Sequence, residues 1–174
     1  MSKSPYILAI DQGSSSTRAA LIDKKGIIVD QESVEFKQIY PANGWVEHDP
    51  FEIMQTIKST ITTIFERNKI IQNDILSCGI TNQRETIVAW NKVTGNPLYN
   101  AIVWQDRRTQ NICQNLIDKD YTNLIQEKTG LIIDPYFSAS KIQWLLENIK
   151  DKNNLIVGTI DTWIIWNLTN KTKH

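Results

Sequence analysis

The hydrophobic pattern at the start of the chain predicts three strands. Residues 6–10 form a continuous apolar run, and the segments 18–22, apolar after Arg18, and 27–29 follow after short polar breaks. Continuous runs of this length are typical of strands that are buried on both faces. Gly26 supplies a turn between the second and third runs, so these two strands are expected to pair antiparallel.

A helix is predicted from Asp49 to about residue 67. Asp49 can serve as its N-cap, Pro50 suits the first helical position, and Glu52 stands where the glutamate of a capping box would stand. The apolar positions recur at intervals of three and four and give the helix one apolar face: Met54, Ile57, Ile61, Ile64 and Phe65.

Further strands are expected in the second half of the chain. Apolar runs predict buried strands at residues 76–80, 86–90 and 155–157, with Cys78 in the core. The first two are adjacent in sequence, and residues 91–97 form a turn behind the second.

Helical periodicity marks three more segments. Helices are predicted around residues 112–117, over residues 138–149 and over residues 161–168, where Trp163 and Trp166 share one packed face. The middle helix would turn four residues inward: Ile142, Leu145, Leu146 and Ile149. In the predicted order of elements, strands come first and are followed by alternating helices and strands. This order predicts an α/β fold with a mixed sheet flanked by helices.

Composition narrows the classes of function. Among 174 residues, Lys and Arg number 19 and Asp and Glu number 19, so the net charge is zero. A neutral chain has no bulk field that would attract nucleic acid or anionic lipid. With 41% apolar and 22% charged residues, the chain is expected to fold, as one domain over residues 1–174.

Cysteine and glycine spacing exclude several common sites. Cys78 and Cys113 form no C-x-x-C pair and only two histidines are present, so the spacing of a zinc site is absent. No two glycines are closer than thirteen residues, which excludes the dinucleotide loop, the Walker A loop and the nucleophile elbow. The apolar run at residues 6–10 is too short for a signal peptide or a membrane span, so a cytoplasmic protein is expected.

The turn after the first strand is a candidate phosphate loop. Asp11 ends an apolar run, so its carboxylate is expected to be paired with a cation, a metal hydrate or several donors. Gly13 lets the backbone approach a ligand, residues 14–17 supply hydroxyls, and Arg18 can face phosphate oxygens. The alternative is a plain polar turn, which is the commoner outcome for this composition alone.

A second candidate lies between the strands predicted at residues 76–80 and 86–90. Arg84 and Glu85 follow the carboxyl end of a strand, where ligands bind in open α/β sheets. A fixed donor beside a fixed acceptor suits vicinal hydroxyls, each of which gives and takes a hydrogen bond. The alternative is a solvated surface ion pair.

Two aromatic residues could complete such a pocket. Trp104 could supply an apolar wall and Tyr136 a phenol, although core packing is the favoured interpretation of Trp104 taken alone. His48, next to the predicted helix cap, is interpreted as a structural group rather than a catalytic base.

Several motifs together resemble one family. Residues 11–18 (DQGSSSTR) are similar to the first phosphate loop of actin-like sugar kinases. Five later segments resemble the glycerol kinase family, in order and across nearly the whole chain: residues 40–50 (YPANGWVEHDP), 79–86 (GITNQRET), 100–109 (NAIVWQDRRT), 129–138 (TGLIIDPYFS) and 158–166 (GTIDTWIIW).

The resemblance implies an actin-like, ribonuclease H-like fold and the use of ATP with Mg²⁺. It implies a glycerol site formed by Arg84, Glu85, Trp104 and Tyr136. It also implies that Asp11 holds Mg²⁺ through water and that a further set addresses the ATP phosphates: Gly13, Ser14, Ser15, Ser16 and Arg18. Pentulose kinases resemble Gly-Gln-Met-His-Gly at the position of residues 82–85, so a polyol is favoured over a ketopentose.

Family members have two actin-like domains, and this chain resembles only part of the first. The general-base aspartate, the second phosphate loop and the adenosine pocket are therefore expected beyond residue 174, in a protein that forms homo-oligomers when full length. The leading hypothesis is the N-terminal portion of an ATP:glycerol phosphotransferase. The alternative is a non-catalytic polyol-binding or assembly module. A third hypothesis, an actin-like chaperone or filament protein, gives no account of Arg84, Glu85 and Trp104.

Overall fold

A computed structural model describes residues 5–173, so residues 1–4 and 174 of the expected domain lie outside the description. The strands are β1 (Tyr6–Gln12), β2 (Ser16–Ile22), β3 (Ile28–Glu35), β4 (Glu47–His48), β5 (Ile75–Asn82), β6 (Ile87–Asn91), β7 (Ala101–Ile102) and β8 (Leu155–Thr159). The helices are α1 (Pro50–Asn68), α2 (Gln110–Asp118), α3 (Thr122–Thr129), α4 (Ser138–Asn148) and α5 (Ile160–Leu168), with a short 3₁₀ turn at Gln72–Asp74. The α/β class expected from the sequence is confirmed.

The first sheet is mixed and has the strand order β3-β2-β1-β5. The predicted antiparallel pairing of β2 with β3 is confirmed, while β1 pairs antiparallel with β2 and parallel with β5. Helix α1 packs on one face, where Leu8, Ile10 and Leu21 are buried. The other face is open within residues 5–173, so the prediction that β1 is buried on both sides is wrong: Ile7 is 41% exposed.

Strand β5 is also largely exposed. It is the edge of the first sheet, and the prediction of a buried strand at residues 76–80 fails because Leu76 is 74% exposed. Cys78 is exposed as well, contrary to its predicted place in the core.

The second sheet is antiparallel, with the order β4-β7-β6-β8. Strand β6 is buried on both faces: Val88 and Trp90 join the core shared with α1 and α5, and Ile87 and Ala89 pack toward α4. The predicted packing of Trp163 is confirmed, with its ring centroid 5.4 Å from that of Trp90 in an edge-to-face contact.

Helix α1 begins as predicted, but one of the hydrogen bonds predicted for its first turn is replaced by another. The Asp49 carboxylate accepts a hydrogen bond from the Phe51 amide at 2.8 Å, which confirms the N-cap. Glu52 instead accepts from the Lys37 amide at 3.0 Å, so the predicted capping box does not form. The predicted apolar face is confirmed and includes Ile53.

Two features of the later helices differ from expectation. Leu146 of α4 is 41% exposed instead of inward, whereas Lys141 on the same helix is completely buried. Helix α3 carries no buried residue and therefore no apolar stripe, which explains why the sequence pattern did not reveal it. Within residues 5–173, no helix has the length and apolar character that a membrane crossing requires.

Candidate active site

A cleft of about 260 Å³ opens where β1 and β5 reach their carboxyl ends. Open α/β sheets bind ligands at this end of parallel strands. The residues that line the cleft come from four of the segments singled out in the sequence: Ser14, Asn82, Gln83, Arg84, Trp104 and Tyr136. The structure thus brings together the candidate loop at residues 11–18 and three of the four residues that the resemblance assigned to glycerol.

Trp104 and Tyr136 form an aromatic corner of the cleft. Their ring centroids are 5.8 Å apart in an edge-to-face arrangement. The Trp104 indole Nε1–H donates to the Ser14 hydroxyl at 2.8 Å, and the Trp104 amide donates to the Thr86 hydroxyl at 3.2 Å. Trp104 is therefore held by its backbone amide and by its indole nitrogen, and it lines the cleft.

Arg84 and Glu85 diverge after β5. The Arg84 side chain is exposed and lines the cleft. Glu85 has φ 65°, a left-handed backbone conformation that turns its side chain away from that of its neighbour. Its Oε2 accepts from the Ser138 amide at 2.9 Å and from the Ser138 hydroxyl at 2.6 Å, so Glu85 caps α4 beside the cleft.

The loop between β1 and β2 is compact. Gly13 N–H donates to the Ser16 carbonyl at 3.0 Å, and a Cβ at position 13 would meet that same oxygen at 3.2 Å. Glycine therefore permits the tight turn, while its amide is already used within the loop. The hydroxyls of Ser15 and Ser16 make no hydrogen bond within residues 5–173 and remain open to a ligand.

Hydrogen bonds among buried polar residues connect this loop to helix α1. Thr17 Oγ1 donates to Gln12 Oε1 at 2.7 Å and lies 2.7 Å from the Thr56 hydroxyl of α1. Gln12 Nε2 donates in turn to the Gly13 carbonyl at 3.1 Å. The loop is thereby tied to the first helix.

Asp11 and Arg18 lie opposite each other on the open face of the first sheet. Register pairing places Asp11 beside Arg18 on β2 and beside Thr81 on β5, and Ser33 continues the row on β3. Both charged side chains are exposed, and within residues 5–173 neither forms an ion pair. Because Asp11 is exposed, its carboxylate does not carry the cost of a buried unpaired charge, and the pairing of Asp11 with a cation or a metal hydrate stays a prediction.

A closed ring of hydrogen bonds runs behind the cleft. Gln38 Nε2 donates to the Ser14 carbonyl at 3.0 Å and Gln38 Oε1 faces His48 Nε2 at 2.7 Å. His48 Nδ1 faces Gln83 Nε2 at 3.1 Å, and Gln83 Oε1 accepts from Thr86 at 3.1 Å. The bonds of Trp104 to Thr86 and to Ser14 close the ring.

His48 is the central member of this ring and is fully buried. Burial lowers its pKa to about 4, because the charged imidazolium loses its hydration. A neutral ring that donates from Nε2 and accepts at Nδ1 satisfies both glutamines. The interpretation of His48 as a structural group is consistent with this position, since His48 contacts Gln83 of the cleft lining and does not itself line the cleft.

A second buried cluster fixes the segment that follows Trp104. Arg108 forms ion pairs of 2.7 Å with Glu47 and 2.8 Å with Asp106, and its guanidinium lies 3.8 Å from the Trp45 ring centroid. Asp106 also accepts from the Val46 amide at 2.6 Å. Buried, fully paired charges of this kind hold a loop in one geometry.

The donor set suits a hydrated metal ion better than a fully caged one. Within residues 5–173, no group of three or more His, Cys, Asp and Glu side chains could hold a metal. Asp11 offers one free carboxylate next to loop hydroxyls. Mg²⁺ commonly binds through one or two carboxylates, several waters and substrate phosphates.

Comparison with known proteins identifies similar sequences over the whole described fold. The profile of the FGGY family of carbohydrate kinases, N-terminal domain, matches residues 6–174. "Glycerol kinase 1" of Clostridium tetani is 51% identical over 97% of this chain and 35% of its own length. A glycerol kinase of Mycoplasmopsis pulmonis is 50% identical over 97% of this chain and 34% of its own length.

Solved structures show the same architecture. A Plasmodium falciparum glycerol kinase crystallised with ADP superposes with a TM-score of 0.90 and 39% identity, over 98% of this chain and 35% of that one. A xylulose kinase of Lactobacillus acidophilus, 24% identical, gives a TM-score of 0.81 over 94% of this chain and 33% of that one and shows the shared fold alone. The chain spans about a third of the length of these relatives.

Proposed function

Since the chain belongs to the FGGY family of carbohydrate kinases, we propose that it is the N-terminal part of a kinase that transfers the γ-phosphate of ATP to glycerol, which gives glycerol 3-phosphate. The observation that carries this proposal is the cleft in which Arg84, Trp104 and Tyr136 converge beside the loop at Ser14. Relatives about 50% identical over nearly the whole chain are glycerol kinases.

The cleft has the chemistry that a small polyol requires. The rings of Trp104 and Tyr136 offer an apolar corner to a carbon skeleton. Arg84 offers charged donors, and Glu85 keeps Oε1 free while Oε2 is bound to Ser138. A donor and an acceptor of this kind recognise adjacent hydroxyl groups, so we assign glycerol to these four residues.

The loop and the open face supply the phosphate end of the site. We assign Asp11 to a water-mediated Mg²⁺ and assign the ATP phosphates to Gly13, Ser14, Ser15, Ser16 and Arg18. The free hydroxyls and the exposed guanidinium support this assignment, since each can donate to phosphate oxygens. Bound Mg²⁺ would neutralise charge that develops on the transferred phosphoryl group.

We propose that the other catalytic and nucleotide-binding residues lie beyond residue 174. The relatives are about three times as long as this chain. We place the general base, the second phosphate loop and the adenosine pocket in that additional length. Phosphoryl transfer depends on positioning both substrates in line, so the 174-residue chain by itself is expected to be inactive. That the complete protein is a cytoplasmic homo-oligomer stays a prediction.

The test is an assay of the complete protein. ADP formation is followed with ATP, Mg²⁺ and either glycerol or 1,3-propanediol, which lacks the central hydroxyl. Glycerol is expected to be the far better substrate, because a buried polar group left unpaired costs binding in the transition state. Equal rates with both alcohols would refute the two-hydroxyl site. Glycerol binding without any turnover would favour the non-catalytic alternative.

A further inference from the structure

Lys141 is a buried cation that none of the proposed catalytic steps uses. It lies in the first turns of α4, its side chain is completely buried, and its ammonium donates to three successive carbonyls. The acceptors are the backbone oxygens of Pro135 at 2.9 Å, Tyr136 at 2.5 Å and Phe137 at 2.8 Å. All three hydrogen-bond donors of the ammonium group are therefore satisfied by one short segment.

That segment is the turn that presents Tyr136 to the cleft. On its other side the Tyr136 amide donates to Asp134 Oδ1 at 2.8 Å, and the Phe137 amide donates to the Asp134 carbonyl at 3.2 Å. The backbone of Tyr136 is thus held by its amide and by its carbonyl. These attachments fix the backbone from which the Tyr136 ring projects, and the ring itself packs against Trp104 and Phe137.

The same end of α4 also locates Glu85. Its carboxylate caps the helix through Ser138, three residues before Lys141. Two residues of the proposed glycerol site therefore take their position from one helix end. Moving the turn away from this helix would change the distance between them.

We propose that Lys141 is a positioning residue of the glycerol pocket, which clamps the turn at residues 135–137 so that Tyr136 is already in place before glycerol binds. The inference rests on the proposed function and extends it to a residue that touches no substrate. A preformed pocket binds more tightly than one that must be ordered by its ligand. Loss of the clamp therefore weakens glycerol binding and leaves the phosphate side unchanged.

The first test is Lys141→Met in the complete protein, which keeps the length of the side chain and removes the donors. The KM for glycerol should rise about tenfold with kcat and the KM for ATP within twofold of the wild type, the pattern of lost uniform binding. Lys141→Arg, which retains charge and donors, should restore the KM to within about threefold.

The matched control is Leu145→Ala, one turn further along the same helix. Leu145 is fully buried in the core against Ile87 and Ala89, so its truncation weakens α4 without removing a clamp bond. The KM for glycerol should stay within twofold of the wild type. A rise equal to that of Lys141→Met would show that the effect is general loss of helix stability and would overturn the inference.

A second readout uses the wild type and does not depend on folding of the methionine variant. Burial lowers the pKa of Lys141 to about 8, against the opposing effects of the facing Glu85, Asp106, Cys113 and Asp134. The glycerol KM of the wild type should therefore climb between pH 8 and pH 10. Lys141→Arg should show no such climb, because its guanidinium stays protonated.

The outcomes separate the two proposals. A wild type that phosphorylates glycerol, with an unchanged KM in Lys141→Met or with the same pH profile in Lys141→Arg, would refute the clamp alone. A wild type with no activity toward glycerol would refute the proposed function and, with it, the role of Lys141.

Discussion

At the scale of single residues, His48 links the proposed phosphate loop to the proposed polyol pocket. Its two ring nitrogens face Gln38 and Gln83, which in turn reach Ser14 and Trp104 through the hydrogen-bonded ring. A protonated imidazole would point a second N–H at the Gln83 amide nitrogen, which is itself a donor. The ring is therefore complete only while His48 is neutral.

The folded chain should consequently lose stability in mild acid. The pKa of His48 is lowered from 6.5 to about 4, so the unfolded chain binds the extra proton as the pH falls from 6.5 to 4. The linked loss of unfolding free energy should amount to about 3 kcal/mol at pH 4. The loss is absent above pH 6.5, where both states are neutral.

Urea unfolding at submicromolar protein concentration, followed by tryptophan fluorescence at several pH values, measures this effect. His48→Gln should be less stable than the wild type at pH 7 and should show a smaller decline toward pH 4. Parallel pH profiles for the two proteins would mean that His48 is not the titrating group.

Arg84 gives a second residue-scale prediction. In the complete protein, Arg84→Ala should lower kcat/KM for glycerol roughly thirtyfold. This factor corresponds to about 2 kcal/mol of transition-state stabilisation, which is lost with a charge-assisted donor. Arg67→Ala is the control, since that arginine pairs with Asp30 and Glu32 on β3 and is absent from the cleft lining. Steady-state kinetics within threefold of the wild type would remove Arg84 from the site.

The sequence identified the residues that face the cleft better than those that support them. Trp104 and Tyr136 stood out through their chemistry and through family resemblance. Gln38, Gln83 and Lys141 did not, because a lone polar residue has no periodic signal and takes its role from partners distant in sequence. The Glu85 contact with Ser138 joins residues 53 positions apart and could not be read from either segment alone.

At the scale of elements, α1 shows a start signal that local sequence predicts correctly. Its N-cap is formed by Asp49, and its apolar face packs on β2 and β3. The capping box failed because Glu52 has a better placed donor in Lys37, on the segment that leads from β3 toward β4. Tertiary contact therefore redirected a side chain whose local role was plausible.

Removal of the cap should weaken the chain measurably. Asp49→Ala should lower the unfolding free energy by about 1 kcal/mol, because the Phe51 amide loses its acceptor. Glu66→Ala, an exposed position on the same helix, should change it by no more than about 0.5 kcal/mol. Urea midpoints at constant m-value provide the comparison, and equal midpoints for both variants would contradict the capping role.

Strands β1 and β6 show where pattern reasoning reaches its limit. Both arise from continuous apolar runs, yet β6 is covered on both faces and β1 on one. An apolar run indicates that a strand is suited to burial on both sides, whereas actual burial depends on which elements pack against it. Within residues 5–173, the open face of β1 has no such cover.

At the scale of the whole molecule, two sheets share the core around Trp90, and one face of the first sheet stays open. Exposed apolar residues of the first sheet include Ile7 and Leu76, and Leu168 at the end of α5 is 41% exposed. A groove lined by Leu8, Ile75 and Leu168 among others adds to it. Contiguous exposed apolar surface promotes association.

The isolated 174-residue chain should therefore self-associate and bind hydrophobic dyes. Leu76→Lys should reduce both effects, because it places a charge on the exposed edge strand. Val93→Lys is the matched control, an equally apolar and 70% exposed residue in the turn after β6. Light scattering that shows a monodisperse monomer with no dye binding would contradict the prediction.

The closely packed indoles of Trp90, Trp163 and Trp166 should give the molecule a circular dichroism signal that depends on their packing. Trp90 and Trp163 lie 5.4 Å apart with their planes inclined at 65°, and Trp166 lies 6.1 Å from Trp90. Electronic transitions of chromophores this close and this oblique couple, and coupled transitions of opposite sign appear as a paired band in circular dichroism. These three indoles are buried away from the cleft, whereas Trp45 and Trp144 form a separate edge-to-face pair 5.4 Å apart, so the part of the band that disappears in Trp90→Phe reports the core. Loss of that part of the band in a variant therefore signals a disturbed core rather than a local change at the cleft.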